Sequence, residues 1–202
     1  MAGTPLAGRN ALVLGVERPA GRAAAVALAE AGANVAVVTL SKDMQAEFAA
    51  NSTANEFWAI GRRGIALTSD GGEITLPEAI AEAAVQLGPI SILIYHAPEP
   101  LPRTALTSLR SDPAIVVLIG DAAPEAARAL LEWTRDLANA GLRANALVTT
   151  RTLADATGPV LKEHRPPSAL DLAAAVIHLV SDATAAVEGA MLVVMHDPGG
   201  LD

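Results

Sequence analysis

The stretch ALVLGVERPAGRAAAVALAEAG, residues 11–32, decides the fold of this chain. Residues 11–15 form an apolar run with the length and composition of a buried β-strand. A glycine-containing turn follows, and residues 21–31 are rich in alanine, the best helix former. Gly32 is the residue type that most often ends a helix in the left-handed conformation. The stretch therefore predicts a strand, a tight turn and a helix.

The same alternation continues along the chain. Further strands are predicted at residues 35–40, 65–68, 90–95, 114–120, 144–148 and 190–195. Further helices are predicted at residues 41–60, with a weak point at 51–53, at 77–87 with Thr75 as its cap, at 123–140 and at 170–180. Apolar strands joined through helices predict an α/β fold, a doubly wound parallel sheet in three layers, α/β/α. No linker or repeat interrupts this order, so residues 1–202 are predicted to form a single domain.

The composition excludes several classes of function. The 202 residues carry 22 acidic against 14 basic side chains, a formal net charge of −8. Nucleic acids and anionic membranes are bound by basic surfaces, so we expect neither as a partner. The chain has no Cys, which excludes disulfides, thiolate zinc sites and Cys nucleophiles.

The sequence also predicts where the protein resides. Residues 1–10 lack the basic and apolar segments of a signal peptide. The apolar runs, such as residues 90–97, have the length of strands and are too short to span a bilayer. We therefore expect a cytoplasmic protein.

A series of motifs occurs in a characteristic order. Residues 14–21, LGVERPAG, have the form of a Gly-x-x-x-Gly-x-Gly turn, with Gly15 and Gly21 in register and Pro19 at the middle glycine. The later motifs are ILIYHAP at 92–98, WTRDLA at 133–138, GLRANAL at 141–147, LVSDA at 179–183, EGAM at 188–191 and HDPGG at 196–200. In these motifs and their order, the chain resembles the short-chain dehydrogenase/reductase (SDR) superfamily over nearly its whole length.

The resemblance implies a Rossmann-like fold of the SDR type with one element reduced. The family has a long helix between strands four and five, where this chain has the proline-rich residues 98–113. Proline breaks helices, so we expect that helix to be largely lost. The family also assembles through its central helix and terminal strand, so the resemblance implies a homo-oligomer or a hetero-oligomer with an active SDR.

The family's proton-transfer pair is missing from the central helix. In the family, a Tyr moves a proton while hydride moves to or from the nicotinamide, and a Lys four residues later lowers the pKa of that Tyr. Aligned through Thr134 and Arg135, the Tyr position falls on Ala123 and the Lys position on Ala127. Neither alanine can move a proton.

The remaining active-site positions of the family are also altered. The Ser that orients the substrate falls near Gly120 and Asp121, and the family's Pro-Gly after strand six is Thr149-Thr150 here. These losses lie together at the carboxyl ends of the strands, where ligands bind in such folds. We therefore predict no catalytic residue of the standard set.

The dinucleotide site is predicted in altered form. Arg18 stands where NADP-preferring members often carry a basic residue, and Thr39, near Ser41 and Lys42, replaces the acidic residue that would bind a 2′-hydroxyl. Against binding, Pro19 adds a ring where backbone should meet phosphate, so the resemblance implies either weakly bound NADP or no cofactor. The predicted cofactor-binding residues are Gly15, Arg18, Gly21, Thr39, Asp70 (as the adenine contact) and Ala97.

Other chemically active side chains have simpler interpretations. Tyr95 and His96 could replace the missing acid–base pair, but we favour their filling space at the end of a strand. His178 is predicted to be a packed or interface residue, and the scattered His residues predict no metal site. Trp133 is interpreted equally well as an interface residue or as part of the core.

Three hypotheses of function follow. The leading one is a non-catalytic SDR-fold subunit or binding protein that assembles with itself or with an active homologue. The second is an NADP-dependent oxidoreductase, acting on a ketone or an acyl thioester, that uses non-standard residues such as Tyr95 or Asp121. The third is a sensor that binds the dinucleotide without turning it over.

Overall fold

The computed structural model of the chain describes residues 4–96, 101, 103–107, 115–121, 124–149 and 168–194. Its strands form one seven-stranded sheet in the order β3-β2-β1-β4-β5-β6-β7, and every pairing is parallel. The strands are β1 (Asn10–Leu14), β2 (Asn34–Thr39), β3 (Gly64–Thr68), β4 (Ile92–His96), β5 (Ile115–Asp121), β6 (Arg143–Thr149) and β7 (Met191–Val194). The predicted doubly wound α/β fold is confirmed.

Helices connect the strands. They are α1 (Pro19–Glu30), α2 (Met44–Ala59), α3 (Thr75–Leu87), α4 (Arg103–Thr107), α5 (Pro124–Asn139) and α6 (Ala169–Val180), with a 3₁₀ turn at Asp182–Thr184 that the sequence did not predict. Between β4 and β5 the described helix is only the five-residue α4, so the expected reduction of that element is confirmed.

The strand order places a possible ligand site between β1 and β4. The chain runs outward from β1 through β2 to β3, then returns to pair β4 with the other side of β1. In an open parallel sheet, the connections diverge at such a reversal and leave a crevice at the carboxyl ends of the strands. The β1–α1 turn lies at this position.

The sheet is buried on both faces because its strands carry apolar side chains on both. One face packs under α1 and α6, with Val13, Val35 and Ile94 among its buried residues. The opposite face packs under α3 and α5, with Leu12 and Leu93 among its buried residues. Each fully buried Leu, Ile or Val side chain stabilises the fold by about 1.5–3 kcal/mol before entropy is counted.

Two helix predictions were wrong in detail. Thr75 is not a cap: it is the first residue of α3, the N-cap is Ile74, and the Thr75 hydroxyl bonds to the Asp70 carboxylate. The expected weak point at residues 51–53 lies within the uninterrupted α2. Thr53 is fully buried there, and its hydroxyl donates to the Ala49 carbonyl at 2.7 Å, so its polar group is satisfied inside the helix.

Helices α1 and α6 begin in opposite ways. A capping box starts α6: the Ser168 hydroxyl accepts from the Asp171 amide at 3.2 Å, and the Asp171 carboxylate accepts from the Ser168 amide at 2.8 Å. The N-cap of α1, Arg18, makes no side-chain cap, and no acidic residue lies in the first turn. The positive end of the α1 dipole is therefore not offset by a side chain of its own first turn.

The segment before β1 closes over the amino edge of the sheet. Leu6 is buried, and its amide donates to the Ala31 carbonyl at 2.9 Å, just after α1. Gly32 has a φ of +105°, and a Cβ there would press on the Thr4 side chain. The predicted role of Gly32 in ending α1 is confirmed.

Candidate functional site

Gly15 and Gly21 shape the β1–α1 turn. Gly15 has a φ of +88°, its amide donates to the Val38 carbonyl at 2.9 Å, and a Cβ on it would overlap the His96 carbonyl oxygen. A Cβ on Gly21 would overlap the Gly15 carbonyl oxygen. Both positions therefore need glycine because backbone approaches backbone, one joining the turn to β4 and the other packing α1 on the turn.

Pro19 is compatible with this turn. It stands at the first position of α1, where a missing amide proton costs nothing and the fixed φ suits a helix. The Arg18 amide donates to the Gly15 carbonyl at 3.2 Å. Ala20 and Gly21 then carry the amides that helix geometry leaves without a partner in the helix. The start of α1 can therefore donate to an anion through those amides.

The polar side chains at the end of β2 and just after it bond to other groups of the chain. Thr39 is fully buried, and its hydroxyl donates to the Ser41 carbonyl at 2.8 Å. The Ser41 hydroxyl donates to the Asp43 carboxylate at 2.6 Å, and this bond lowers the pKa of Asp43. The Lys42 ammonium lies 3.0 Å from the Asp70 carboxylate. Thr39, Ser41 and Lys42, which favour NADP in the sequence, thus use these polar groups in contacts within the chain.

Asp70 lies just beyond β3 and organises the start of α3. Its carboxylate accepts from the Thr75 hydroxyl, from the Lys42 ammonium and, at 3.0 Å, from the Gly72 amide. These bonds, with that of Thr75 the strongest, hold the pKa of Asp70 well below its usual range. The side chain is half exposed. Its predicted contact with adenine stays a prediction.

Glu17 is a residue of this region that the sequence reasoning missed. Its side chain is half-buried, and both carboxylate oxygens accept from the Leu40 amide, at 3.3 and 3.4 Å. The strand register explains the meeting: Leu14 pairs with Val38, so residues just past β1 lie beside residues just past β2. The register of β1 and β2 was the signal that could have found it.

The chain's single tyrosine lies inside the protein. Tyr95 is 4% exposed and meets the Trp133 ring edge to face, with centroids 5.6 Å apart and planes at 87°. His96, the last residue of β4, is also buried. Their interpretation as space-filling residues is supported, and Trp133 is packed against the core under α5.

The position aligned with the family's Lys carries no proton-transfer group. Ala127, at the Lys position, is a half-buried residue of α5. Gly120 lies near the Leu130 side chain, which a Cβ there would press against. Asp121 is the last residue of β5, and Glu125 lies in the first turn of α5. Ala97 and Ala123 lie outside the described residues.

The described ranges contain no candidate metal site. Within them, no group of three or more His, Asp or Glu side chains could hold a metal ion. His178 was predicted to be packed or at an interface, but its side chain is exposed on α6, so the packed interpretation is wrong. No helix in the described part of the chain is long and apolar enough to cross a membrane.

A groove of about 510 Å³ lies beside the turn. It runs between α1, α2 and the start of α6, and it is lined by Arg18, Val26, Ala49 and Leu170 among others. Leu170 is 81% exposed. The turn thus faces open space on the α1 side.

Comparison with solved structures shows the fold. A doubly substituted short-chain dehydrogenase/reductase of Serratia marcescens superposes with a TM-score of 0.77 at 21% identity, covering 94% of this chain and 97% of that one. A blue fluorescent protein from a metagenomic library in complex with NADPH gives 0.74 at 24% identity and the same coverage. A short-chain dehydrogenase from Burkholderia cenocepacia J2315 in complex with NADP gives 0.75 at 22% identity, again covering 94% and 97%.

Comparison with curated proteins finds two dehydrogenases. Cyclohexanol dehydrogenase of Rhodococcus sp. (strain TK6) is 38% identical over 101 residues, covering 46% of this chain and 37% of that protein. The 2-dehydro-3-deoxy-D-gluconate 5-dehydrogenase of Dickeya dadantii (strain 3937) is 33% identical over 93 residues, covering 46% and 34%. The match thus spans about a third of the length of these relatives. No protein-family model matches the chain.

Together, these findings confirm the resemblance to the short-chain dehydrogenase/reductases. The chain has the SDR fold, and its sequence relatives are named dehydrogenases.

Proposed function

We propose that this chain is a non-catalytic SDR-fold protein, which binds a dinucleotide at the β1–α1 turn without hydride transfer and assembles with itself or with an active homologue. One observation carries the proposal: the chain's single tyrosine, Tyr95, is buried against Trp133. A general acid must come within hydrogen-bond reach of the reacting oxygen. A phenol held inside the core does not reach one.

The lysines likewise do not reproduce the family's proton-transfer arrangement. They are Lys42 and Lys162, and neither lies on α5. Lys42 follows β2, and its ammonium is held by the Asp70 carboxylate. Lys162 lies outside the described residues. The family's Tyr–Lys arrangement on the central helix therefore has no counterpart.

Binding of a dinucleotide is supported by the turn itself. Gly15 and Gly21 are required by close backbone contacts, and α1 begins without a side-chain cap. These features suit a pyrophosphate at the helix N-terminus. When bound, the dinucleotide would supply a nicotinamide, and this chain's residues would hold its phosphates and adenosine.

Assembly is supported by the last strand. Among the described strands β7 is one of the two edges of the sheet, and Met191 and Val193 are each more than a third exposed. Their neighbours Leu192 and Val194 pack towards α6, so Met191 and Val193 face the other side of the sheet. An apolar edge strand is a surface that proteins normally cover.

Paired binding and turnover measurements test the proposal. The purified chain is titrated with NADH and NADPH by fluorescence or calorimetry, then assayed with NAD or NADP and alcohols including cyclohexanol, and with the reduced cofactors and ketones. We expect saturable binding of a cofactor and no turnover above a buffer blank. Turnover would contradict the non-catalytic proposal, and no binding up to millimolar cofactor would contradict the binding site.

A second candidate is a dehydrogenase that uses non-standard residues, favoured by the names of both curated relatives. It predicts that any turnover depends on Asp121, at the carboxyl end of β5, or on Tyr95. Loss of such turnover in Asp121→Asn or Tyr95→Phe, with Trp58→Phe as an active control, would establish this alternative.

A further inference from the structure

A carboxylate stands at the carboxyl end of β2. Both oxygens of Glu17 accept from the Leu40 amide, at 3.3 and 3.4 Å, and Leu40 directly follows Thr39, the last residue of β2. In dinucleotide-binding folds of this kind, the acidic residue that bonds to the adenosine ribose lies at this strand end. Here Thr39 occupies that place in the sequence, but it turns its hydroxyl to Ser41.

The turn delivers Glu17 to this point. Gly15 donates its amide to Val38, which fixes the turn against β2. Glu17 follows Gly15 by two residues, and its side chain is half-buried. The backbone at Gly15 lies too close to its neighbours to accept a Cβ, and this close packing sets the position of Glu17. The β1–α1 turn therefore positions the Glu17 carboxylate.

Two basic side chains of this region form ion pairs with other carboxylates. Lys42 is held by Asp70 at 3.0 Å, and Arg22 is paired with Glu56 of α2. Arg18 remains, and it lines the same groove as Glu17, between α1, α2 and the start of α6.

We propose that Glu17 makes the site selective for NAD(H) over NADP(H). A carboxylate can accept several hydrogen bonds, so the bond to Leu40 leaves capacity for the 2′-hydroxyl of the ribose. A 2′-phosphate in the same place would bring a second anion against Glu17, and like charges in contact disfavour binding. The inference rests on the proposed dinucleotide site and reverses the NADP preference that Arg18, Thr39 and Lys42 favour in the sequence.

Competitive titration tests the inference. NADH and NADPH are titrated into the wild-type chain, Glu17→Gln and the control Glu30→Gln, which removes the same charge from the far end of α1. We expect the wild type and the control to bind NADH at least about tenfold more tightly than NADPH. Glu17→Gln keeps an acceptor for Leu40 and should lose most of this preference, mainly through tighter NADPH binding.

The outcomes separate the inference from the proposed function. Equal binding of both cofactors by the wild type, or tighter binding of NADPH, would overturn the inference and leave the binding site in place. No binding of either cofactor would overturn both. Titration of the wild type with AMP and 2′-phospho-AMP repeats the comparison without a variant; a preference for AMP supports the inference, and its absence contradicts it.

Discussion

At the scale of single residues, the described structure shows which glycines the fold requires. Gly21 lies in α1 at a negative φ, where alanine would normally favour the helix, yet its Cβ would overlap the Gly15 carbonyl oxygen. At Gly61 the constraint is backbone conformation. Its φ is +75°, but a Cβ there would meet nothing within 4 Å. The two positions separate steric overlap from backbone strain.

Gly21→Ala is expected to lower the free energy of unfolding by about 2–4 kcal/mol, since backbone would have to move to admit the methyl group. Gly61→Ala should cost only about 1–2 kcal/mol, the cost of a left-handed alanine. Urea unfolding followed by circular dichroism measures both. Equal losses in the two variants would show that the turn yields easily at Gly21.

Asp70 predicts a pH dependence of stability. Its pKa is lowered in the folded chain by Thr75, Lys42 and Gly72, so the ionised form stabilises the fold above the unfolded pKa of about 3.9. That contribution is lost as the pH falls through the folded pKa. The midpoint of urea unfolding should therefore be higher for the wild type than for Asp70→Asn at pH 7, with the gap narrowing below about pH 4. A gap that is constant from pH 7 to 3 would contradict the assignment.

At the scale of elements, the sequence predicted the strands and helices but not their exact ends. The strands were found from their apolar runs, and their ends moved by two residues or fewer, as for β4, predicted at 90–95 and observed at Ile92–His96. Thr75 was misassigned because a Thr before an apolar run looks like a cap, whereas Asp70, five residues earlier, takes its hydroxyl. Glu17 was missed because it meets Leu40 only once β1 and β2 are paired.

The attachment of α5 depends on Trp133. The half-buried ring packs edge to face on Tyr95 and belongs to the core under this helix. Trp133→Ala should cost about 2–4 kcal/mol, somewhat less than a fully buried aromatic. Trp58, which is 64% exposed, serves as the control, and Trp58→Ala should cost about 1 kcal/mol, mainly through its bond to the Gly64 carbonyl. Thermal or urea unfolding of both variants gives the comparison, and a smaller loss at Trp133 would contradict its place in the core.

At the scale of the whole molecule, the sheet explains why the sequence predicted the fold more fully than the site. Helices cover both faces of the sheet, and buried apolar residues run along its strands. The sequence could therefore predict the architecture from apolar patterning, whereas the site depended on contacts between distant segments.

The edge strand gives a prediction for assembly. Met191→Lys combined with Val193→Lys places two charges on the exposed face of β7 and should convert an oligomer to a monomer in light scattering. Val85→Lys, at an 80% exposed position on α3, is the matched control and should leave the mass unchanged. A wild-type chain that is already monomeric at high micromolar concentration would contradict self-assembly through β7.

The hydrogen bond from Leu6 to Ala31, at the end of α1, has a practical consequence. It fixes the start of the described chain at the amino edge of the sheet, across the molecule from the β1–α1 turn. Because the sequence contains no cysteine, a single Pro5→Cys substitution would accept one thiol-reactive dye or one linker to a sensor surface. A probe mounted there would leave the turn open to nucleotides, so immobilisation for binding assays need not compete with the ligand.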